Sequence, residues 1–161
     1  GYNEDIQGRP FVGQAGKLLE KTLAEIGLQR LDVFITNVVK FRPPDNRDPF
    51  ENEIEACRDW LDRQIQIIKP QIIVTLGRFS MAKFIPDVTI SRVHGQSRFV
   101  EFQGVRYTVF PMYHPAAALR AGVVLKQFQE DFQKLKKLLH PESVQLPPSS
   151  PPGGPEQTSL F

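Results

Sequence analysis

The sequence predicts an α/β domain with a mostly parallel, four-stranded central sheet covered by helices on both faces. Three observations carry this. Short runs rich in β-branched and aromatic residues alternate with longer runs of helical periodicity, the pattern of a parallel sheet with crossover helices. The length of 161 residues suits one domain, and 40% hydrophobic with 24% charged residues is an ordinary globular composition. The third is negative. A single cysteine excludes a disulfide framework and points to a reducing compartment, and no apolar run approaches the ~18 residues of a membrane span. The net charge of +2 excludes a strongly basic coat but not a local basic groove.

Gly1 to Gly13 is rich in Gly, Asp, Asn and Pro and reads as loop. A strand would normally lead into such a loop, so the first strand of the sheet is expected to be missing from this chain. Ala15, Leu18, Leu19, Leu23 and Ile26 recur at helical spacing, which predicts a helix over Gln14 to Ile26 stopped by Gly27. Asp32 to Val39 reads as a buried strand, and Lys40 to Pro49 as a basic, Pro-rich loop. Ile54, Cys57, Leu61, Ile65 and Ile68 share one face of a second helix, Glu51 to Lys69, which Pro70 ends. Gln71 to Leu76 is a strand turned at Gly77 into a short helix reaching Ile85. Arg98 to Phe110 reads as a hairpin joined at Gln103-Gly104, its second strand stopping at Pro111. Val123 to Leu139 is the last helix. The domain is expected to cover residues 1–140. Residues 141–161 form a tail, and the Pro, Ser and Gly of Pro147 to Pro155 predict a disordered spacer.

The stretch Phe110-Pro111-Met112-Tyr113-His114-Pro115 is the most informative. Pro115 biases His114 away from helical dihedrals, so its imidazole sits at a strand exit. Open α/β sheets place ligands at such exits. The fold is expected to bring Phe11, Asn37 and His114 to that one edge. An aromatic face stacks on a base. An amide reads a base edge. An imidazole stabilises charge on a leaving group.

Six segments in order carry a resemblance. They are Glu4-Asp5, Gly8-Arg9-Pro10-Phe11-Val12-Gly13-Gln14-Ala15-Gly16, Ile35-Thr36-Asn37-Val38-Val39-Lys40, Arg42-Pro43-Pro44, Leu76-Gly77-Arg78 and His114-Pro115-Ala116-Ala117. Together they resemble the family 4, iron–sulfur uracil-DNA glycosylases. The resemblance implies a three-layer fold and hydrolysis of the N-glycosidic bond of uracil in DNA, with the base flipped into a pocket. On this pattern Phe11 stacks on uracil, Asn37 bonds O4 and N3–H, and His114 donates to O2. Glu4 crowds the C5 position or acts in catalysis, and Asn46 makes a second pocket contact. Arg42, Arg47, Arg78 and Arg120 meet phosphates, and Leu119 is the wedge that fills the vacated stack.

Each residue also has a plainer reading. Phe11 suits a core position, Asn37 and Asn46 suit turns, Glu4 suits a solvated loop, and the arginines suit ordinary surface charge. A non-catalytic nucleic-acid-binding relative and a flavodoxin-like small-molecule binder are the competing functions. The latter lacks a Gly-rich phosphate loop opening a helix.

The resemblance has two departures. Of a Gly-Glu-Ala-Pro-Gly-like turn after the first strand, only Gly1 remains. Of four cysteines for a [4Fe–4S] cluster, Cys57 matches one, Phe41 stands at another, and two fall before residue 1, so the cluster is expected to be absent or incomplete. The tail ends Gln157-Thr158-Ser159-Leu160-Phe161, where Gln157, Leu160 and Phe161 resemble a bacterial sliding-clamp ligand. A monomer in the bacterial cytoplasm, associated with the nucleoid, is expected.

Overall fold

The computed structural model describes residues 1–140. The clamp-binding tail predicted from Gln157, Leu160 and Phe161 lies outside the described residues. The helices are α1 (Tyr2–Gln7), α2 (Gln14–Glu25), α3 (Glu51–Ile68), α4 (Arg78–Ala82), α5 (Ile90–Val93), α6 (Pro115–Ala118) and α7 (Gly122–Leu139). The strands are β1 (Ile72–Leu76), β2 (Arg98–Phe102) and β3 (Val105–Met112).

The sheet order is β1-β3-β2. β1 runs parallel to β3, from Ile72 beside Thr108 to Leu76 beside Met112. β2 runs antiparallel to β3, from Arg98 beside Val109 to Phe102 beside Val105. The hairpin turns on Gln103 (φ 51) and Gly104 (φ 76), the pair of positive angles that a two-residue turn of right-handed twist requires.

Alternation along β3 builds two cores. Phe110 and Met112 face Leu19 and Leu23 of α2, Ala118 of α6, and Phe128, Phe132 and Leu135 of α7. Tyr107 and Val109 face Leu61 and Ile65 of α3, Met81 of α4 and Val93 of α5. The result is helix, sheet, helix. Buried Asp62 ties α3 to the hairpin by pairing with Lys83 and accepting from Gln103 Nε2 at 2.9 Å.

Three expectations change. Residues 2–7 are helical rather than loop, closed by Gly8 in the left-handed region (φ 62). The described residues hold three strands, because Asp32 to Val39 forms no ladder. Val33 and Ile35 pack on one core and Val38 on the other. The segment is only partly buried, with Phe34 59% exposed, and a strand also needs a neighbour, which composition does not report. Finally, β3 runs through Pro111 to Met112. The Pro111 carbonyl accepts from Gly95 N at 2.8 Å, while Met112 O turns to the β1 side and takes Gly77 N at 2.8 Å. The missing N–H of Pro111 thus faces away from β1, so the parallel ladder loses nothing.

Candidate active site at the ends of β1 and β3

The parallel strands β1 and β3 end side by side, at Gly77 and at Tyr113-His114. A Cβ on Gly77 (φ 89) would sit 3.0 Å from His114 Cβ, so the bare glycine lets the imidazole lie against the β1 exit. His114 caps α6. Its Nδ1 accepts from Ala116 N at 3.1 Å. A backbone N–H can only donate, so the remaining proton of the neutral ring sits on Nε2. Burial holds the His114 pKa below its usual value, and the Arg120 charge adds to this against the opposing pull of Glu4. The ring is a neutral imidazole offering one N–H.

Phe11 stacks on that ring, with centroids 5.3 Å apart and planes 29° apart. It comes from the turn between α1 and α2 with φ 54, an unusual angle for a bulky residue. Two anchors hold this conformation. Arg30 Nη1 donates to Phe11 O at 2.9 Å and Nη2 to Pro10 O, while Glu20 pairs with the guanidinium at 2.9 Å. Gly16 lies beneath, where a Cβ would meet Phe11 O at 1.9 Å. Glu4 closes the turn from the other side, its Oε1 accepting from Val12 N and Gly13 N, each at 3.0 Å. Partial burial opposes ionisation of this carboxyl. The backbone N–H groups, led by Gly13, outweigh it and lower the pKa to about 2.

Among the described residues no hydrogen bond joins the other predicted residues to His114 or Phe11. Asn37 is exposed on the 32–39 segment; its carbonyl accepts from Lys40 Nζ at 2.8 Å, and its side chain makes no hydrogen bond among the described residues. Asn46 Oδ1 accepts from Arg42 Nε at 2.8 Å, and the Arg42 guanidinium lies 5.5 Å from the Tyr2 ring centre. Arg47 is committed to a two-pronged bond with Glu53 (2.7 and 2.8 Å) and lies 3.9 Å over Phe50. Arg78 pairs with Asp48. Leu119 is half exposed beside exposed Arg120 in the turn after α6.

A model of the Uracil DNA glycosylase superfamily matches residues 1–139. The Type-4 uracil-DNA glycosylase of Saccharolobus solfataricus is 49% identical over 152 residues, 91% of this chain and 70% of the relative. That of Sulfurisphaera tokodaii is 53% identical over 144 residues, covering 86% and 66%. That of Archaeoglobus fulgidus is 49% identical over 144 residues, covering 86% and 72%. The chain belongs to the type-4 uracil-DNA glycosylases.

Type-4 uracil-DNA glycosylases are known for a [4Fe–4S] cluster, and the residues present do not fit one. Cys57 is the sole cysteine of the chain, buried on α3, and its Sγ accepts from Lys40 N at 3.2 Å. Phe41 is 82% exposed and has no atom that ligates iron. Among the described residues no three His, Cys, Asp or Glu stand where they could share a metal. Four irons require a set of thiolates that one cysteine does not supply.

Sequence reasoning missed Arg30, which lies 19 residues from Phe11 and reads as ordinary surface charge. Gly16 and Gly77 stood inside the matching segments, but only the folded backbone reveals what each makes room for.

Proposed function

We propose that this type-4 uracil-DNA glycosylase hydrolyses the bond between uracil and deoxyribose in DNA, the first step of base excision repair, with His114 as the electrophilic residue. The observation that carries this is the fixed tautomer of His114, a neutral, half-buried imidazole with its proton on Nε2. As the glycosidic bond breaks, electrons flow into the base and gather on O2. A preorganised donor aimed at O2 is worth most at that moment, because it strengthens as charge develops. Water then completes the reaction at C1′, and uracil leaves as an anion that bulk solvent protonates.

Phe11 supplies the aromatic face and Asn37 the amide that reads O4 and N3–H. Glu4 acts through the Phe11 turn, since its carboxylate is already engaged by Val12 and Gly13. Asn46 works as a pair with Arg42. Leu119 fills the stack left by the flipped base, with Arg42, Arg78 and Arg120 on phosphates. Arg47, tied to Glu53, orients the loop that carries Arg42.

We further propose, from sequence alone, that residues 141–161 tether the domain to the bacterial sliding clamp through Gln157, Leu160 and Phe161. On this reading the protein works as a monomer near the nucleoid, in the cytoplasm. No described helix is long and apolar enough to cross a membrane.

The decisive experiment is single-turnover release of uracil from a labelled single-stranded oligonucleotide. Alkali-labile sites appearing only at the uracil position are expected. Tight binding without such sites would instead favour the non-catalytic relative.

A further inference from the structure

One buried acid plays no part in this mechanism. Asp131 sits in the middle of α7 at 0% exposure, between Phe128 and Phe132 on the helix face that packs on β3. A buried carboxylate persists only where its oxygens are matched. Oδ2 lies 2.6 Å from His94 Nδ1, and Oδ1 accepts from Lys134 Nζ at 2.9 Å. Room for this was made at Gly95 (φ 67), where a Cβ would lie 2.0 Å from Oδ1. The next link runs to the active site. The His94 ring lies against the Tyr113 ring, with centroids 4.6 Å apart. Tyr113 precedes His114, and Gly95 N holds the Pro111 carbonyl at 2.8 Å. The loop carrying His94 therefore grips β3 on both sides of Met112, immediately before the histidine that faces the base.

We propose that His94 is a positioning residue for excision: Asp131 fixes its imidazole, and the ring in turn buttresses Tyr113 and sets where His114 Nε2 points. This rests on the reading of His114 as the group that meets uracil. An Asp–His pair is a known means of fixing ring orientation, because an ionised carboxylate only accepts and so holds Nδ1–H toward itself. Here the oriented ring bears on the neighbouring backbone rather than on substrate. Small displacements matter, since a shift of about 1 Å in a reacting group costs up to ~10²-fold in rate.

Two variants separate positioning from folding. His94→Asn keeps a donor near the Nδ1 position for Asp131 but removes the ring from Tyr113. His94→Phe/Asp131→Leu keeps a ring against Tyr113, replaces the carboxylate's hold on that ring with apolar packing, and leaves no buried charge unpaired. Single-turnover excision by His94→Asn should fall about tenfold, with DNA affinity and urea midpoint close to the parent. The double variant should stay within about twofold of the parent rate. A parent-like rate in His94→Asn, or an equal loss in both variants, would overturn the proposal. The ¹⁵N signals of the His114 imidazole give a readout that needs no activity. They should move in His94→Asn and hold in the double variant. If the parent itself released no uracil, the functional reading would fall, and these signals alone would decide the His94 contact, with unmoved signals in His94→Asn counting against it.

Discussion

Gly16, in the first turn of α2, lies directly under the backbone of Phe11, and a Cβ there would stand 1.9 Å from the Phe11 carbonyl oxygen and 2.2 Å from its carbon. No side-chain rotation relieves a contact with backbone, so the turn must move. Gly16→Ala should cost about 1–3 kcal/mol of stability, as overpacking does, and displace the Phe11 ring from His114. Urea denaturation and single-turnover excision would both register it, with Lys17→Ala as a surface control. Parent-like values in both assays would show that the turn has slack and that the Phe11 backbone is not tightly set.

His114→Ala removes the donor proposed for O2 while leaving α6 to start at Pro115. Excision should fall by about 10²–10³, the usual cost of losing a preorganised donor to a developing oxyanion. Binding to uracil-containing DNA should change little, because the arginines proposed to meet phosphates are untouched. An unchanged excision rate would take His114 out of the mechanism.

The two shifted groups make separate pH predictions. The folded pKa of His114 lies below its ordinary 6.5, held there by burial first and by Arg120 second. Between the two values the unfolded chain binds a proton that the folded state refuses, so stability falls as pH drops below 6.5. Excision should remain flat through 6.5 and decline only at lower pH, when the ring protonates and loses its bond from Ala116. For Glu4 the folded value of about 2 against 4.5 means a contribution fully present above 4.5 and lost as pH falls toward 2. Urea midpoints measured across the range would show both steps, and His114→Phe should lack the first. A parent profile that declines with a midpoint above 6.5 would contradict a depressed histidine.

A labelled peptide spanning Pro151 to Phe161 should bind a bacterial sliding clamp weakly, since ordering a flexible peptide opposes association. Its two apolar terminal residues are the anchors. Leu160→Ala/Phe161→Ala should therefore abolish the signal in a fluorescence polarisation titration. Equal binding by the two peptides, or none by either, would end the clamp proposal.

Much of this protein was legible before folding because it is locally encoded. The amphipathic faces of α2, α3 and α7, the Gln103-Gly104 turn and the strand exit at His114 each depend on residues within a few positions of one another, and propensity and periodicity report such features directly. The matching segments also marked Phe11 and His114, whose rings prove to be stacked. The tertiary structure decided what depends on partners distant in sequence. Composition along 32–39 suggested a buried strand, but the segment has no strand neighbour and packs only in part against the cores. Phe11 could be core or site on sequence grounds, and the fold buries it to 8% exposure with its ring on that of His114. Arg30 reaching Phe11 and Asp131 reaching His94, 37 residues away, had no sequence signal. A charge becomes a structural or positioning group only when folding removes water from around it and brings a specific partner within hydrogen-bond reach.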